Sequence, residues 1–564
     1  MPSRRAFLQT GLLVGASATA ALPSVGQPVA PGFTSKNDVH TTPSSGTISL
    51  LQTTDVHCQL NAHDELFWEN DQLTFRKAGG YAHLATAIDG IRLKNPANTI
   101  LIDTGDMFQD SMLSVKTKGE AFVPLLNALN YDLFLPGNWE VIYHKKAMQH
   151  LLGGLQAPKV CTNMHHALGS DKDNASKGEL IFQPYQTMHR LGVKIGFLGY
   201  TDPLVPIRQS PLYSKGIVYT KPEESIKYWV NVLRNQEQCA VVIVLAHLGL
   251  SQQIALANHP DTEGVDYIFG ADTHERVRKP IQGTWAKVVE PGAFGSFIGR
   301  LDLTVKDGKV MGERYELLEV NPKKYRAAPA VQRLVEQIEA PYKAAIDRVL
   351  GYSTEPLYRN FVVENTIDTL ITDALMWKMK PDVALSNGFR FCPPRTAGPD
   401  GRVAITEGYL YDMLPVDATV RTGKSTGQQL LEWLERELQN VFANDASKRL
   451  GGWVVRFKGM TVDFKAYALA GQRVQAVRIG GQPLDPTRTY TLSACEREGD
   501  PADILCRLKG IRDGQSTSES MHSVMKEYLA AFSPVSPKMP RAAHILDGPQ
   551  TLLSQVYGVD YQFT

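Results

Sequence analysis

The chain has 564 residues, which is too long for one ordinary domain and predicts two domains with connecting segments. Hydrophobic residues make up 43% of the sequence and charged residues 21%, which is typical of a folded, soluble protein and excludes a disordered chain. The formal net charge of +1 gives no electrostatic reason to expect nucleic acid or an anionic membrane surface as a partner.

The N-terminus, "MPSRRAFLQTGLLVGASATAALPSVGQ", reads as an export signal. Arg4 and Arg5 precede a short apolar stretch, and the surrounding residues resemble the twin-arginine signal; an ordinary secretory signal is the alternative. The stretch is rich in Gly, Ala and Ser, which makes it a poor permanent membrane span. We therefore expect a signal over residues 1–27, a flexible leader over 28–45, and a mature periplasmic protein without a membrane anchor.

Six short apolar runs, each ending in a polar stop, follow from residue 46 onwards. Helical-looking stretches such as "GGYAHLATAIDGIRLKN" lie between several of them. This alternation predicts an α/β domain over residues 46–322, whose polar strand ends converge on one crevice. The runs are "TISLLQTTDVHCQL", "NTILIDTGDMFQDS", "DLFLPGNWE", "VKIGFLGYTDP", "CAVVIVLAHLGL" and "VDYIFGADTHERV".

The second half of the chain has a different, α+β pattern. The stretch "PAVQRLVEQIEAPYKAAIDRVLG" has apolar residues at helical spacing and predicts a linker helix within residues 323–352. A second domain over residues 353–564 is predicted to contain the helices "ENTIDTLITDALMWKMK", "STGQQLLEWLERELQNVF" and "MHSVMKEYLAAF". A hairpin-like region, "MTVDFKAYALAGQRVQAVRIGGQPLDPTRTYTLSA", precedes the last of these helices.

Side chains that commonly bind metals follow the strands of the first domain. Asp55 and His57 lie two residues apart, on the same side of an extended chain, and the two oxygens of Asp106 could bridge two cations. A mixed nitrogen and oxygen ligand set without thiolate favours Mn²⁺, Fe or Zn²⁺. The candidate ligands are Asp55, His57, Asp106, Asn138, His247, Asp272 and His274.

The order D-x-H, G-D, G-N, a histidine after an apolar run, and G-x-x-x-H resembles the calcineurin-like metallophosphoesterases. In the second half, "ENTIDTLITDAL", "SNGFR", "ITEGYLYDMLP" and "RTGKSTGQQLLEWLE" resemble the C-terminal domain of the 5′-nucleotidase family. The resemblance implies a four-layer αββα catalytic domain with two metal ions, followed by a substrate-binding domain. It assigns one ion to Asp55, His57, Asp106 and His274, and the other to Asp106, Asn138 and His247. Asp272 stands where the family often has a second histidine.

Trp139 marks a second departure from the family pattern. The usual motif reads Gly-Asn-His-Glu-x-Asp, with a histidine that assists the leaving group and an aspartate that orients it; here Trp139 and Ile142 take those places. Loss of a general acid costs an alkoxide leaving group roughly a hundredfold in rate. A sulfur leaving group needs less assistance from an acid, because a thiol has a pKa of about 8.5 whereas water has a pKa of about 15.7. The sequence therefore favours a substrate whose leaving group is sulfur, unless Trp139 only packs and another residue such as Arg390 does this work.

The Trp-Glu form of this motif, "SNGFRF" and "SACEREGDPADILCR" resemble the SoxB family of periplasmic sulfate thiohydrolases. The resemblance implies two Mn²⁺ ions and hydrolysis of a sulfonate from a cysteine persulfide on a carrier protein with a Cys-containing, Gly-rich tail. It assigns Arg390 to the sulfonate or carrier tail, with Arg497 as a further candidate, although a surface ion pair explains Arg497 equally well. Phe389 and Phe391 are candidates to stack against the substrate, or to pack in the core.

Two other functions stay open at this stage. One is plain phosphoester hydrolysis of a small molecule, as by a 5′-nucleotidase or a cyclic-nucleotide phosphodiesterase. The other is a catalytically silent protein that binds a carrier, which the retained cluster of charged ligands argues against because such a cluster is costly to bury. The six cysteines do not form the framework of a small secreted domain, and the sequence leaves open whether Cys495 pairs with Cys506.

Overall fold

Two β-sheets form the centre of the first half of the chain in a computed structural model that describes residues 44–70, 72–169, 176–388, 392–449, 456–550 and 552. The predicted signal and all but the last two residues of the predicted leader lie outside the described residues. The first sheet has five strands in the order Lys309–Glu319, Phe297–Lys306, Gly46–Thr53, Thr99–Asp103 and Leu133–Phe134. The second has six, in the order Ile281–Gln282, Lys287–Val289, Tyr267–Gly270, Val241–His247, Val193–Thr201 and Tyr185–Arg190.

The two sheets pack face to face, and helices cover their outer faces. Along strand Val193–Thr201, Ile195 and Phe197 pack in the cluster shared with the first sheet. Leu198 and Tyr200 instead pack against the helices on the other face, as the two-residue period of a strand requires. This gives the helix–sheet–sheet–helix layering that the family resemblance implied. The helices of this half are Tyr81–Arg92, Met112–Thr117, Val123–Ala128, His144–Gly154, Val205–Arg208, Ile226–Asn231 and Leu250–Asn258.

Parallel pairing brings the functional ends of the strands to common edges. Gly46–Thr53, Thr99–Asp103 and Leu133–Phe134 are parallel neighbours in the first sheet. Val193–Thr201, Val241–His247 and Tyr267–Gly270 are parallel neighbours in the second. The six apolar runs of the sequence are therefore strands, and their polar stops lie at the carboxyl ends, where ligands bind in such sheets.

The second half of the chain is a mixed α+β arrangement. Its main sheet runs in the order Arg456–Lys458, Val383–Ser386, Thr489–Cys495, Thr419–Thr426 and Arg512–Ser520. The first part of the hairpin-like region forms antiparallel strands Met460–Phe464 and Val474–Ile479, in a sheet with Gln482–Pro483 and Ala543–Ile545. Its last strand, Thr489–Cys495, instead belongs to the main sheet. The helices are Thr366–Met379, Glu407–Met413, Gly427–Phe442 and Met521–Phe532, the longest of which begins with a capping box at Thr426.

The remaining elements are short or lie between the halves. The predicted linker is helical in two pieces, Pro329–Glu339 and Lys343–Ile346. None of the helices in the described part of the chain is long and apolar enough to span a membrane. The other strands are His63–Glu69 paired with Gln72–Ala78, Val349–Ser353 with Val403–Thr406, Ile504–Leu505 with Leu508–Lys509, and a sheet of Ile217–Tyr219, Met164–Leu168 and Ser176–Leu180.

The halves contact each other through polar and aromatic side chains. Asp64 accepts hydrogen bonds from the backbone N–H and hydroxyl of Thr396, at 2.9 and 2.8 Å. Phe75 packs against Tyr358 with ring centroids 6.1 Å apart, in a cluster that includes residues of both halves. Elsewhere between the halves, a cleft separates the carboxyl ends of the first half's strands from residues of the second half.

Candidate metal centre and substrate cleft

Five of the predicted ligands converge at the carboxyl ends of the strands. The ring nitrogen Nε2 of His247 lies 3.2 Å from Oδ2 of Asp106 and 3.8 Å from Oδ1 of Asp55. Nε2 of His274 lies 3.4 Å from the same Asp55 oxygen, and Nε2 of His57 lies 3.9 Å from Asp106 Oδ2. Two groups of ligand atoms come within 4.8 Å of one another: Asp55, His57 and His274, and Asp55, Asp106 and His247.

The backbone at five of the seven predicted ligands is left-handed rather than extended. The φ angles are 49° at Asp55, 47° at His57, 62° at Asp106, 85° at Asp272 and 61° at His274. Such conformations cost about 1–3 kcal/mol each in non-glycine residues and cluster at functional sites. The expectation that Asp55 and His57 share a side of an extended chain was therefore wrong. The strand ends at Thr53, and tight turns bring the two side chains together.

Cys58, directly after this turn, is also positioned by the turn and not by a strand. If the strand continued past Thr53, its alternation would point the Cys58 side chain away from His57 and into packing. Cys58 is buried, and its thiol donates to the Met107 carbonyl at 3.2 Å, but its φ of 57° shows that a turn rather than strand alternation places it there.

The histidine rings present Nε2 to the centre. Nδ1 of His247 lies 2.7 Å from the Thr104 carbonyl oxygen, and Nδ1 of His57 lies 3.3 Å from that of Gln109. A carbonyl can only accept, so each Nδ1 carries the proton and Nε2 is left as a lone-pair donor. Nε2 of His57 and Nε2 of His274 lie 3.1 Å apart, an arrangement that a shared cation between the two nitrogens would satisfy.

The chemistry of the donor set fits divalent cations. Oδ1 of Asp55 and Nε2 of His247 are buried and make no hydrogen bond. Leaving buried polar atoms unpaired costs about 1–3 kcal/mol each, more for charged groups, which a bound cation would offset. Carboxylate and imidazole donors without thiolate suit first-row divalent ions. The described residues therefore form a site for two divalent metal ions.

The charges around the centre shift the pKa values of its groups in different directions. Burial would raise the pKa of the Asp55 carboxyl, but His247 and His274 hold that pKa well below its usual range. Burial and the adjacent His274 lower the pKa of His57, which favours its neutral imidazole. For His247 burial would lower the pKa, yet Asp106 and Asp55 raise it well above the usual value, so cation binding there would release a proton.

Gly137 allows two loops to approach each other closely. A Cβ atom at this position would lie 2.3 Å from Oδ1 of Asp106 and 2.8 Å from Cε1 of His247. A Cβ at Gly105, where φ is 103°, would lie 2.4 Å from the nitrogen of Gly137. The glycines in "DTGD" and "PGNW" are thus required by contact between the loops that contain Asp106 and Asn138.

Asn138 and Asp272 meet on one side of the centre. The Asn138 side chain donates from Nδ2 to Oδ1 of Asp272 at 2.5 Å, and Nε2 of Gln209 donates to Asn138 Oδ1 at 3.1 Å. Oδ1 of Asp272 lies 3.9 Å from Nε2 of His247. On its other oxygen, Asp272 accepts two hydrogen bonds from Arg208, at 3.1 and 3.2 Å. The unusual carboxylate at position 272 therefore lies next to the metal ligands with an arginine as its partner.

Glu140 supports the centre from behind, a role that the sequence analysis missed. Its carboxylate is fully buried and accepts from the backbone N–H groups of Asp106 at 3.1 Å, Met107 at 2.8 Å and Gly137. Burial and the charge of Asp106 raise the pKa of Glu140 to about 7. Its position directly after Asn138-Trp139 was the available signal. Arg208 and Gln209 gave no such signal because their contacts are distant in sequence.

Trp139 connects the centre to a cleft between the halves. Its backbone N–H donates to Oδ1 of Asp106 at 2.8 Å, and its half-buried side chain lines the cleft. The cleft holds about 990 Å³ of empty space, including its open mouth. Besides Trp139, its lining includes Arg208, Tyr213, Met413, Leu414, Pro415, Cys495, Arg497 and Cys506.

The other predicted substrate-binding residues have mixed outcomes. Phe389, Arg390 and Phe391 lie outside the described residues. Arg497 lines the cleft, where its Nε donates to Asp500 at 2.8 Å and its Nη1 donates to the Gln209 carbonyl at 3.2 Å. This residue therefore has both an ion pair and a place in the lining of the cleft. Cys495 and Cys506 line the same cleft, and all six cysteines of the chain are free thiols.

Comparisons with known proteins agree with this architecture. Residues 48–276 match the family model of the calcineurin-like phosphoesterases, and residues 349–494 match that of the 5′-nucleotidase C-terminal domain. The chain is 23% identical to the protein UshA of Yersinia enterocolitica, over 84% of this chain and 90% of UshA. It is 25% identical to the trifunctional nucleotide phosphoesterase YfkN of Bacillus subtilis, over 71% of this chain but only 29% of YfkN.

Two solved structures share the fold over most of their length. The sulfate thiohydrolase SoxB of Thermus thermophilus has a TM-score of 0.79 at 23% identity, covering 91% of this chain and 99% of SoxB. The 5′-nucleotidase precursor of the same organism has a TM-score of 0.74 at 22% identity, covering 89% of this chain and all of that one. The two halves are therefore arranged as in both proteins.

Proposed function

Because the chain belongs to the calcineurin-like phosphoesterases with a 5′-nucleotidase C-terminal domain and is a metal-dependent hydrolase of that family, we propose that it hydrolyses S-sulfonated thiols. In this reaction the oxygen of water bonds to the sulfonate sulfur and the S–S bond breaks. The thiolate leaves with the electron pair, and the products are sulfate, a thiol and a proton. The observation that carries the proposal is Trp139, which stands where the family has its general acid.

The chemistry of Trp139 explains why it favours a sulfur leaving group. An indole N–H can donate a hydrogen bond but is far too weak an acid to protonate a departing alkoxide. A thiolate leaves without that help because its conjugate acid has a pKa of only about 8.5. Ile142, at the place of the orienting aspartate, cannot assist either. The pair of changes therefore removes acid catalysis as a unit.

The residues around the centre have complementary tasks in this proposal. Bound divalent ions, for which we propose Mn²⁺ with Zn²⁺ or Fe as alternatives, would supply an activated water and stabilise the developing negative charge. The ligand set would include Asp55, His57, Asp106, His247 and His274, together with Asn138 and Asp272. The backbone N–H of Trp139 orients Asp106, while its ring excludes water from one wall of the cleft.

The origin of the substrate is part of the same proposal. The sulfonated thiol would belong to the cysteine of a carrier protein with a Gly-rich tail, which the cleft would admit, with Arg390 and Arg497 as candidates to bind it. The Arg4-Arg5 pair and the short apolar stretch that follows support export to the periplasm by the twin-arginine route. The SoxB structure, described as a sulfate thiohydrolase, is consistent with this choice of substrate.

The second candidate is phosphoester hydrolysis. It is favoured by the relatives named as nucleotide phosphoesterase and 5′-nucleotidase. The two candidates share the metal centre and differ in the leaving atom. A test must therefore vary that atom alone.

The experiment compares sulfur and oxygen leaving groups on the Mn²⁺-loaded full chain. Sulfate release from S-sulfocysteine is measured first, together with phosphate release from a nucleoside monophosphate. A matched S-alkyl phosphorothioate and O-alkyl phosphate then isolate the leaving atom. We expect sulfate release, and hydrolysis of the P–S ester at least tenfold faster than that of the P–O ester.

The double variant Trp139→His with Ile142→Asp provides the complementary test, with Trp139→Phe as the control that adds no acid. Installing the acid pair should raise the ratio of P–O to P–S hydrolysis at least tenfold, whereas the phenylalanine control should not. Release of phosphate from the nucleotide without sulfate from S-sulfocysteine would overturn the proposal in favour of the second candidate.

A further inference from the structure

Arg208 lies at the border between the metal-ligand cluster and the cleft. It ends the short helix Val205–Arg208, and its Nη1 donates to Asp202 at 2.7 Å and to Asp272 at 3.1 Å. Its Nη2 donates to the same Asp272 oxygen at 3.2 Å. Two carboxylates therefore fix the orientation of the guanidinium next to the candidate metal ligands.

Part of this guanidinium remains available for a ligand. A guanidinium has five N–H donors, and within the described part of the chain Arg208 uses three of them. Its side chain is 22% exposed, and it lines the cleft on which Trp139 also lies. A charged group that is held by two carboxylates and still borders the cleft is preorganised to meet an anion there.

Arg208 compensates a negative charge at the centre. A carboxylate at Asp272, in place of the neutral histidine, adds one negative charge beside Asp55 and Asp106. Left uncompensated, this charge would weaken the attraction of the centre for an anionic substrate. The pairing of Arg208 with Asp272 restores the balance and places the positive charge on the cleft side.

We propose that Arg208 binds a tetrahedral oxyanion of the substrate, a sulfonate or a phosphate, as it enters the centre from the cleft. The inference rests on the proposed hydrolysis but holds for either leaving atom. A planar guanidinium presents paired donors that match the spacing of two oxyanion oxygens, so its free N–H groups suit this ligand class. Arg208 thereby selects substrates by the charged group that is transferred.

Inorganic sulfate and phosphate are suitable probes because they carry the oxyanion alone. Their affinity for the Mn²⁺-loaded full chain is measured by calorimetry, with metal content per chain measured on the same samples. We expect Arg208→Gln to weaken anion binding at least tenfold and Arg208→Lys to weaken it less, both at unchanged metal content. Arg234→Gln is the matched control, since Arg234 pairs with Asp266 at 2.6 Å away from the cleft; it should stay within twofold of the parent.

A double variant separates direct binding from charge compensation. If Arg208 only neutralises Asp272, then Arg208→Gln combined with Asp272→Asn should bind the anions as tightly as Asp272→Asn alone. We expect the double variant to remain at least tenfold weaker. Recovery of anion binding in the double variant, unchanged binding in Arg208→Gln, or a parallel loss of metal would each overturn the inference. A failure of the proposed function would appear separately, as absent sulfate release with normal anion binding.

Discussion

At the scale of single residues, the centre requires a glycine without a side chain as well as the ligands themselves. Gly137 lies against Oδ1 of Asp106 and the ring of His247, where even one methyl group would overlap both. The left-handed turns at Asp55 and Asp106 add backbone strain at the same place. The centre is therefore tightly packed and should tolerate little change in volume.

Gly137→Ala tests this packing. The added methyl group should displace Asp106 and His247, lowering metal affinity at least tenfold while the fold remains. Metal content and titration with Mn²⁺ measure this. Gly153→Ala is the control, because no atom lies within 4 Å of a Cβ there and the change in helix His144–Gly154 should stabilise the protein by about 0.5–1 kcal/mol. Equal metal affinity in both variants would contradict the prediction.

At the scale of elements, the site is a junction of loops rather than a property of any one strand. The loop after Thr99–Asp103 and the turn after Leu133–Phe134 each contribute ligands, and the Glu140 carboxylate joins them through three backbone N–H groups. A buried carboxylate that accepts such bonds fixes two loops with one side chain. The geometry of the centre thus depends on a residue that need not bind metal.

Glu140→Gln should loosen this junction. The amide retains one acceptor oxygen but presents its NH₂ group to a backbone donor, leaving at least one buried N–H unpaired. We expect the free energy of unfolding in urea to fall by about 1–3 kcal/mol, together with weaker metal binding. The exposed Glu263→Gln serves as control and should change neither quantity. A stability loss of the same size in both variants would show that Glu140 has no special role.

At the scale of the whole molecule, carboxyl groups from the two halves lie near each other where the halves are in contact. Asp110 of the first half is buried and accepts from the Cys392 backbone at 3.4 Å. Its burial, together with the charge of Asp412, raises the pKa of Asp110 well above its usual value. Burial raises the pKa of Asp412 to about 7, partly opposed by Arg395. Contact between the halves therefore favours protonated carboxyl groups.

This arrangement predicts how stability varies with pH. The folded state holds the Asp412 proton up to about pH 7, whereas the unfolded chain releases it near pH 4, so this group makes folding less favourable as pH rises between these values. Asp412→Asn, which resembles the protonated acid, should match the parent near pH 4 and exceed its unfolding free energy by about 1–4 kcal/mol at pH 8.

Urea unfolding at pH 4.5, 6 and 8 measures this difference. The exposed Asp307→Asn is the control, and its difference from the parent should not follow the same trend with pH. A constant difference between Asp412→Asn and the parent across this range would contradict the assignment.

Much of the fold and of the centre follows from local patterns. The apolar runs predicted the strands, and helical spacing predicted helices such as Thr366–Met379 and Gly427–Phe442, because burial imposes these periods on the sequence. Polar stops after parallel strands predicted a shared ligand edge. The left-handed backbone at Asp55 and His57 could not be predicted, since such turns leave no periodic trace in non-glycine residues.

The sequence by itself determined the two-part architecture, the candidate metal ligands and the presence of Trp139 and Ile142 at the places of the family's acid pair. Only the tertiary structure decided that Glu140 holds two loops together, that Gly137 must lack a side chain and that Arg208 pairs with Asp272. The reason is physical: periodicity and residue type are local properties of a chain. Contacts such as that between Arg208 and Asp272, 64 residues apart, exist only once the strands that precede them are assembled in the second sheet.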